Sequence, residues 1–316
     1  MEKNQKMNKT NDKSVVFVAD NNYVLQFLVT LSSLVHHVNN KDLNVYLITC
    51  GLSKANEAYI KKWSSVNSIE VHLCHVDVHE LDWLIPYENA WSRFMFLKLY
   101  IPYVIPNEVR RILYLDVDIL VTSSIAKLFE LDIYDYALAA VEDTPDCIMH
   151  KKRCGIPKES PYINSGVMVI NMDKWRTAAN ANLFWTYIRN NAEKGGVNDQ
   201  DVINTVFQNQ ICLLPLRYNV TNHCFGFHPN LLPVHLQQLE DAYYAPIIIH
   251  FTNWNKPWIG GTCHKFKSKW LEEMKRVKEE TSIAMPQTKR LGIAQMIKIS
   301  AKYYLWRVYI FCKYRR

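Results

Sequence analysis

Glycine is scarce in this chain, nine in 316 residues, and none of it is arranged to cradle a phosphate. Neither G-x-G-x-x-G nor G-x-x-x-x-G-K occurs. That excludes the dinucleotide fingerprint and the P-loop as ways of holding phosphate through backbone amides. The eight cysteines are scattered, with no Cys-x-x-Cys and no Cys/His spacing of a zinc site. Reduced, mostly buried thiols in the cytoplasm are the economical reading. Residues 1–13 are polar, are expected to be disordered, and contain no apolar signal-peptide core. Without secretion, the glycosylation patterns Asn8-Lys-Thr and Asn219-Val-Thr carry no weight. No uninterrupted apolar run approaches the length of a membrane span, and there is no internal repeat.

Acid is missing from one region. The net charge is +7, yet nothing acidic follows Glu280, where eight basic residues lie. The remaining 29 bases face 30 acids, so the body is near neutral and the tail carries the excess. The composition is otherwise that of a folded chain, 49% hydrophobic and 21% charged, with room for one large or two small domains.

What stands out is Arg111-Ile-Leu-Tyr-Leu-Asp116-Val-Asp118-Ile-Leu-Val121. An apolar run delivers two carboxylates two residues apart, and on extended backbone they share a face. Two acids at the end of a buried strand repel one another and are costly to desolvate. A divalent cation with hard oxygen ligands relieves both problems, which points to metal-assisted chemistry on a phosphate-bearing substrate. The pattern alone is weak, because Asp199-Gln-Asp201 repeats it. A solvated turn capping the next segment is the bland alternative.

Strands are predicted at 14–19, 44–49, 69–74, 111–115, 136–141 and 246–250, and Tyr162–Asn171 reads as a turn followed by a strand. Helices are predicted after the turn-rich break Asp20–Tyr23 through Leu34, from Ser53 (as N-cap) through Trp63, over 90–100, from Lys174 towards Arg189, and over 199–207. The opening β-α-β-α-β alternation predicts an α/β fold with a mixed, mainly parallel sheet flanked by helices. Ligands in such sheets sit beyond the carboxyl ends of strands. Asp20, Asp116, Asp118, Asp143 and His250 all fall there.

Six motifs in order resemble the retaining glycosyltransferases of family 8, a group that includes bacterial lipopolysaccharide galactosyl- and glucosyltransferases. They are Phe17-Val-Ala-Asp-Asn-Asn-Tyr23, Ser92-Arg-Phe94, Tyr114-Leu-Asp-Val-Asp-Ile-Leu-Val121, Tyr162-Ile-Asn-Ser-Gly-Val-Met168, Asn198-Asp-Gln-Asp-Val-Ile-Asn204 and His250-Phe-Thr-Asn-Trp-Asn-Lys-Pro-Trp258. The resemblance implies a GT-A catalytic domain over 14–262, followed by a helical, basic and aromatic segment over 263–316. It implies that Asp116, Asp118 and His250 bind Mn²⁺ or Mg²⁺. By the same likeness Ala19, Asp20, Asn22, Tyr23, Val117, Asn253 and Lys256 hold the nucleotide. Arg93, Asp143, Asn164, Gly166, Asp199 and Gln200 would surround the donor sugar, with Asp199 and Gln200 nearest the reaction. Many members of the family have glycine where this chain has Asn253.

The implied partners are UDP-galactose or UDP-glucose and a saccharide or glycolipid acceptor, in bacterial surface polysaccharide synthesis. Residue by residue, blander readings stand beside these. His250 is equally a core histidine, Asp199 a helix N-terminal acid, Arg93 an exposed helical arginine, and Asn164-Ser-Gly166 a turn. The acid-free tail has the character of an interfacial helix on an anionic bilayer, which would place the protein at the inner face of the cell membrane. A helix packed on the body is the alternative for the tail, and no nucleic-acid module is recognisable. Two rival functions remain. One is a haloacid-dehalogenase-like phosphatase, which would place Thr or Val where Leu120 stands. The other is a sugar-nucleotide-binding protein without turnover.

Overall fold

The computed structural model describes residues 13–38, 42–77, 79–80, 82, 93–143, 147–191, 197–225, 233–253, 255–284 and 292–314. The polar start, residues 1–12, lies outside them. The chain opens with β1 (Lys13–Val18), α1 (Val24–Val35), β2 (Leu43–Thr49), α2 (Lys54–Asn67) and β3 (Val71–His75), and the three strands pair in parallel. The side chain of Ser53 caps α2 by accepting from the Asn56 amide at 3.2 Å. A 3-10 turn over Arg93–Tyr100 and the short α3 (Ile101–Val104) lead into β4 (Arg111–Leu115), which pairs with β1 in parallel.

After β4 the chain crosses to β5 (Ile119–Val121), then runs through α4 (Ala126–Glu130), β6 (Leu138–Glu142), α5 (Cys147–Cys154) and β7 (Ile163–Asn171). Helices α6 (Met172–Asn180), α7 (Leu183–Asn191) and α8 (Asp199–Val206) follow, then β8 (Ile211–Leu213), β9 (Val220–Thr221), α9 (Pro233–Tyr244) and β10 (Ile248–His250). Helices α10 (Lys267–Thr281) and α11 (Ile293–Tyr314) end the chain.

Seven strands form one sheet in the order β3-β2-β1-β4-β7-β6-β8, and β5-β10-β9 form a second, smaller one. Only β7 runs against its neighbours in the large sheet. The carboxyl ends of β1, β4 and β6 therefore share an edge with the start of β7. Period-two alternation divides the apolar side chains between two cores. Val15, Phe17, Leu113 and Leu115 join the core with α1 and the small sheet, whereas Val16, Ile112 and Tyr114 join the one with the 3-10 turn and α6–α8.

The structure departs from the predicted elements in four places. Asn164-Ser-Gly166 lies inside β7 rather than in a turn, because the ladder to β4 and β6 supplies partners that composition does not reveal. The helix expected from Lys174 to Arg189 is two helices, broken where Asn182 takes a left-handed φ of 55°. The segment before β4 is a 3-10 turn from Arg93; residues 90–92 lie outside the described chain. Helix α10 packs into the main core through the fully buried Trp270 and Val277. None of the eight cysteines is in a disulfide, and only Cys147 and Cys224 are buried.

Candidate functional site

The two aspartates occupy the seam between the sheets. The Asp116 amide donates to the Gly166 carbonyl at 2.8 Å, extending the large sheet, and the Asp118 carbonyl accepts from the Phe251 amide at 2.9 Å, beside the small one. Below the seam lies α1, buried from Val24 through Leu34. The hydroxyl of Thr30 lies 2.8 Å from both the Val117 and the Ile119 carbonyls, and Ser33 accepts from the Val121 amide at 3.0 Å. A loop that would otherwise be free to move is thus stitched to a rigid helix at three backbone positions.

His250 reaches the seam from the last position of β10, which is held in register by His250↔Ile119 on one side and His250↔Thr221 on the other. Its Nε2 lies 3.0 Å from Asp118 Oδ1 and 3.7 Å from Asp116 Oδ2. One ligand atom from each of Asp116, Asp118 and His250 falls within 4.8 Å of the others. Burial alone would raise the Asp118 carboxyl, but Lys256 and His250 beside it hold it well below the usual carboxylate range. The Lys256 ammonium pairs with Asp118 Oδ2 and lies 5.7 Å from the centre of the Trp258 ring. Gly166 closes the cradle. A Cβ there would come within 2.3 Å of His250 Cε1 and 2.8 Å of Asp116 Oδ2.

On the side of β7 and α8, a web of side chains links the expected sugar residues. Gln200 accepts from the Ser165 amide at 3.1 Å and donates to Asp143 Oδ2 at 2.7 Å. Asp199 accepts from Ser165 Oγ at 3.1 Å and pairs with the Lys98 ammonium at 2.6 Å. Asn164 Oδ1 accepts from the Gly166 amide at 3.1 Å. The capping box of Asn198 and Asp201 fixes the start of α8 and so aims both Asp199 and Gln200.

Asp20 caps the break after β1, accepting from the Asn22 amide at 2.8 Å. Ala19 is buried against β2 through a 3.2 Å amide bond to Ile48. Tyr23 presents a ring that is 41% exposed, with its phenol pushed up by partial burial and by the charges of Asp118 and Asp20. Asn253 takes a left-handed φ of 58°, a conformation that glycine and asparagine both tolerate.

Sequence expectation omits Lys98, Tyr114, Ser165 and Asn219. Lys98 is 5% exposed and also lies 3.4 Å from Asp116 Oδ1. Burial opposes its charge, but Asp116 and Asp199 outweigh it and raise the ammonium above the ordinary lysine value. A single lysine inside the apolar run Phe94–Ile101 is the signal that marks it. Arg93 heads the same 3-10 turn, and its side chain lies outside the described residues. Tyr114 donates to Asp116 Oδ1 at 2.7 Å.

The large mixed sheet flanked by helices, with the small sheet beside it, is the GT-A type of nucleotide-diphospho-sugar transferase fold, as a superposition shows. The solved galactosyltransferase LgtC, in complex with donor and acceptor sugar analogues, superimposes with a TM-score of 0.70 at 21% identity, covering 87% of this chain and 98% of that one. Residues 14–260 match glycosyl transferase family 8, and the chain belongs to that family. General stress protein A of Bacillus subtilis is 25% identical over 87% of this chain and 97% of its own length. The lipopolysaccharide 1,2-glucosyltransferase of Escherichia coli is 25% identical over 78% of this chain and 72% of its own. Against GlyF of Streptococcus pneumoniae, 25% identical, the match spans 60% of the relative.

Proposed function

We propose that this glycosyltransferase is a metal-dependent, retaining hexosyltransferase that moves galactose or glucose from a UDP-sugar to a saccharide or glycolipid acceptor. The observation that carries this is the meeting of Asp116, Asp118 and His250 within 4.8 Å, with Lys256 on one flank and the Asp143–Gln200–Ser165–Asp199–Lys98 web on the other. Two carboxylates and one imidazole are the donor set that suits Mn²⁺ or Mg²⁺, and the Gly166 cradle leaves that space clear of side chain. When bound, such an ion stabilises the negative charge that grows on the departing diphosphate.

The protein's own residues supply the rest. Lys256 is placed to meet the same charge, which is where positive groups help a transition state most. Tyr23 offers an exposed ring face for the base, since aromatic stacking tolerates any base, and Asp20 is placed for the ribose. Gln200 is oriented at both ends of its amide and Asp199 is engaged by Lys98 and Ser165. Both are built as holders of sugar hydroxyls, and an amide is a poor nucleophile. Front-face attack follows, with the departing phosphate oxygen taking the acceptor's proton.

The acceptor is a lipid-linked or surface glycan, met at an anionic membrane on the cytoplasmic side. Among the described residues no helix is long and apolar enough to cross a membrane. Helix α11 instead exposes Ile293, Ile297, Tyr304 and Val308 at helical spacing, in a segment with bases and no acids. That combination fits an anionic interface. UDP release from a panel of UDP-sugars, measured with Mn²⁺ and with chelator, tests the proposal. Turnover of UDP-galactose or UDP-glucose only with metal supports it; phosphate release would signal a phosphatase, and no turnover a binding protein. A glycosyl adduct on Asp199 or Gln200, found by mass spectrometry, would overturn front-face attack.

A further inference from the structure

Asn219 belongs to no catalytic motif, and in the sequence it is only the first residue of an unused glycosylation pattern. In the structure it is completely buried. It lies between a 3-10 turn (Leu216–Tyr218) and β9, and β9 pairs with β10 so that Thr221 stands opposite His250. Its side chain spans two parts of the site. Oδ1 is 3.0 Å from His250 Nδ1, and Nδ2 is 2.8 Å from Asn164 Oδ1.

The proton positions along this line follow from one backbone group. Which end of an amide side chain is oxygen and which is nitrogen is decided by its partners, and here one partner admits no choice. The Gly166 amide can only donate, so the Asn164 atom it meets at 3.1 Å is the oxygen. The Asn219 atom that meets the same oxygen must then be the NH₂ group. The remaining atom, facing His250, is the Asn219 carbonyl oxygen, which can only accept. His250 must therefore carry a proton on Nδ1. A cation binding at Nε2 takes that atom's lone pair and displaces any proton it shares with Asp118 and Asp116, which lie at 3.0 and 3.7 Å, so Nδ1 is the nitrogen that keeps its proton in the metal-bound ring.

We propose that Asn219 is a positioning residue. It fixes the tautomer of His250 so that Nε2 is ready to accept a divalent cation, and it ties that ring to the sugar-side residue Asn164. A buried ring whose second nitrogen is fixed by a neighbour is how imidazole ligands are held in the orientation and tautomer a metal needs. This rests on the metal site proposed above, and the test separates the two.

Mn²⁺ affinity in the presence of UDP is measured by titration calorimetry for the wild type, Asn219→Leu and Asn219→Asp, alongside long-range ¹H–¹⁵N spectra of His250 in the metal-free protein. The wild type should show the Nδ1–H tautomer and bind one Mn²⁺. Asn219→Leu removes both bonds and should weaken Mn²⁺ binding by about 10- to 100-fold, with the ring in mixed tautomers. Asn219→Asp keeps the acceptor facing His250 but loses the donor to Asn164. It should hold Mn²⁺ within roughly three-fold of wild type while raising the donor KM. An unprotonated Nδ1 in the wild type, wild-type affinity in folded Asn219→Leu, or loss of Mn²⁺ binding in folded Asn219→Asp would each overturn the proposal. A wild type that binds no Mn²⁺ but shows the Nδ1–H tautomer would instead sink the metal site and keep the Asn219–His250 link.

Discussion

At the scale of single residues, the sequence spells Asp-x-Asp twice, and geometry makes them different objects. Asp116 and Asp118 lie in the bend between β4 and β5 and, with His250, bring one ligand atom each to a common point. Asp199 and Asp201 lie on the first turn of α8, about 200° apart around its axis. Asp199 turns to Lys98, whereas Asp201 is fully buried against Arg153 and Tyr162. Nothing in the three-letter pattern distinguishes the pairs; the apolar strand before one and the capping asparagine before the other do. Gly166 is equally telling. Gly166→Ala should cut metal-dependent UDP release at least about 100-fold, because the new Cβ would sit 2.3 Å from His250 Cε1; a Mn²⁺ titration of the variant checks that the loss tracks the cation. Lys98→Met should destabilise the metal-free protein by about 3–5 kcal/mol in urea unfolding, since it leaves Asp116 and Asp199 without their buried partner. Lys98→Arg should recover much of that.

At the scale of elements, the opening of the fold is legible because β1 to β3 and their helices are strongly patterned and Ser53 caps α2. Legibility fades where tertiary partners decide. β7 takes Asn164-Ser-Gly166 into a strand because β4 and β6 flank it, and the 3-10 turn before β4 is apolar enough to read as α-helix. The second sheet consists of strands of two or three residues; β10 lies within the predicted strand 246–250, but β5 and β9 are too short for periodicity to reveal. Asn219 and its role were therefore invisible in the sequence. The segment after β10 ends in an aromatic cluster where His264 packs between Phe225, Phe251 and Phe266. Burial, aided by the charge of Lys265, pushes this imidazole down to about 3. Below about pH 6.5 the unfolded chain gains a proton that the folded one refuses. Stability should therefore fall with pH, by about 2 kcal/mol between pH 7 and pH 5. Denaturant titrations at those two pH values check this, and His264→Phe should flatten the dependence.

At the scale of the whole molecule, the packed body runs past residue 262, where the family resemblance implies that the catalytic domain ends, to near Glu280, where the acids stop. Glu273 on α10 accepts from Ser32 on α1 at 2.5 Å, and α1 in turn supports the aspartate seam, so residues 267–283 belong with the catalytic body. Helix α11 meets the body where Met296 covers Gly261 and Cys263 Sγ lies 3.5 Å from Ser300 Oγ. Deleting residues 292–316 should therefore leave the body folded and abolish sedimentation with anionic liposomes. Undiminished binding by the shortened protein would refute the membrane role of α11.

The most direct measurement is the stoichiometry of Mn²⁺ bound in the presence of UDP, read by electron paramagnetic resonance on wild type and on Asp118→Asn. One ion per chain in the wild type, lost or greatly weakened in Asp118→Asn, is the expected result. A wild type that takes up no Mn²⁺, or an Asp118→Asn protein that holds it unchanged, would contradict the site at the seam of the two sheets.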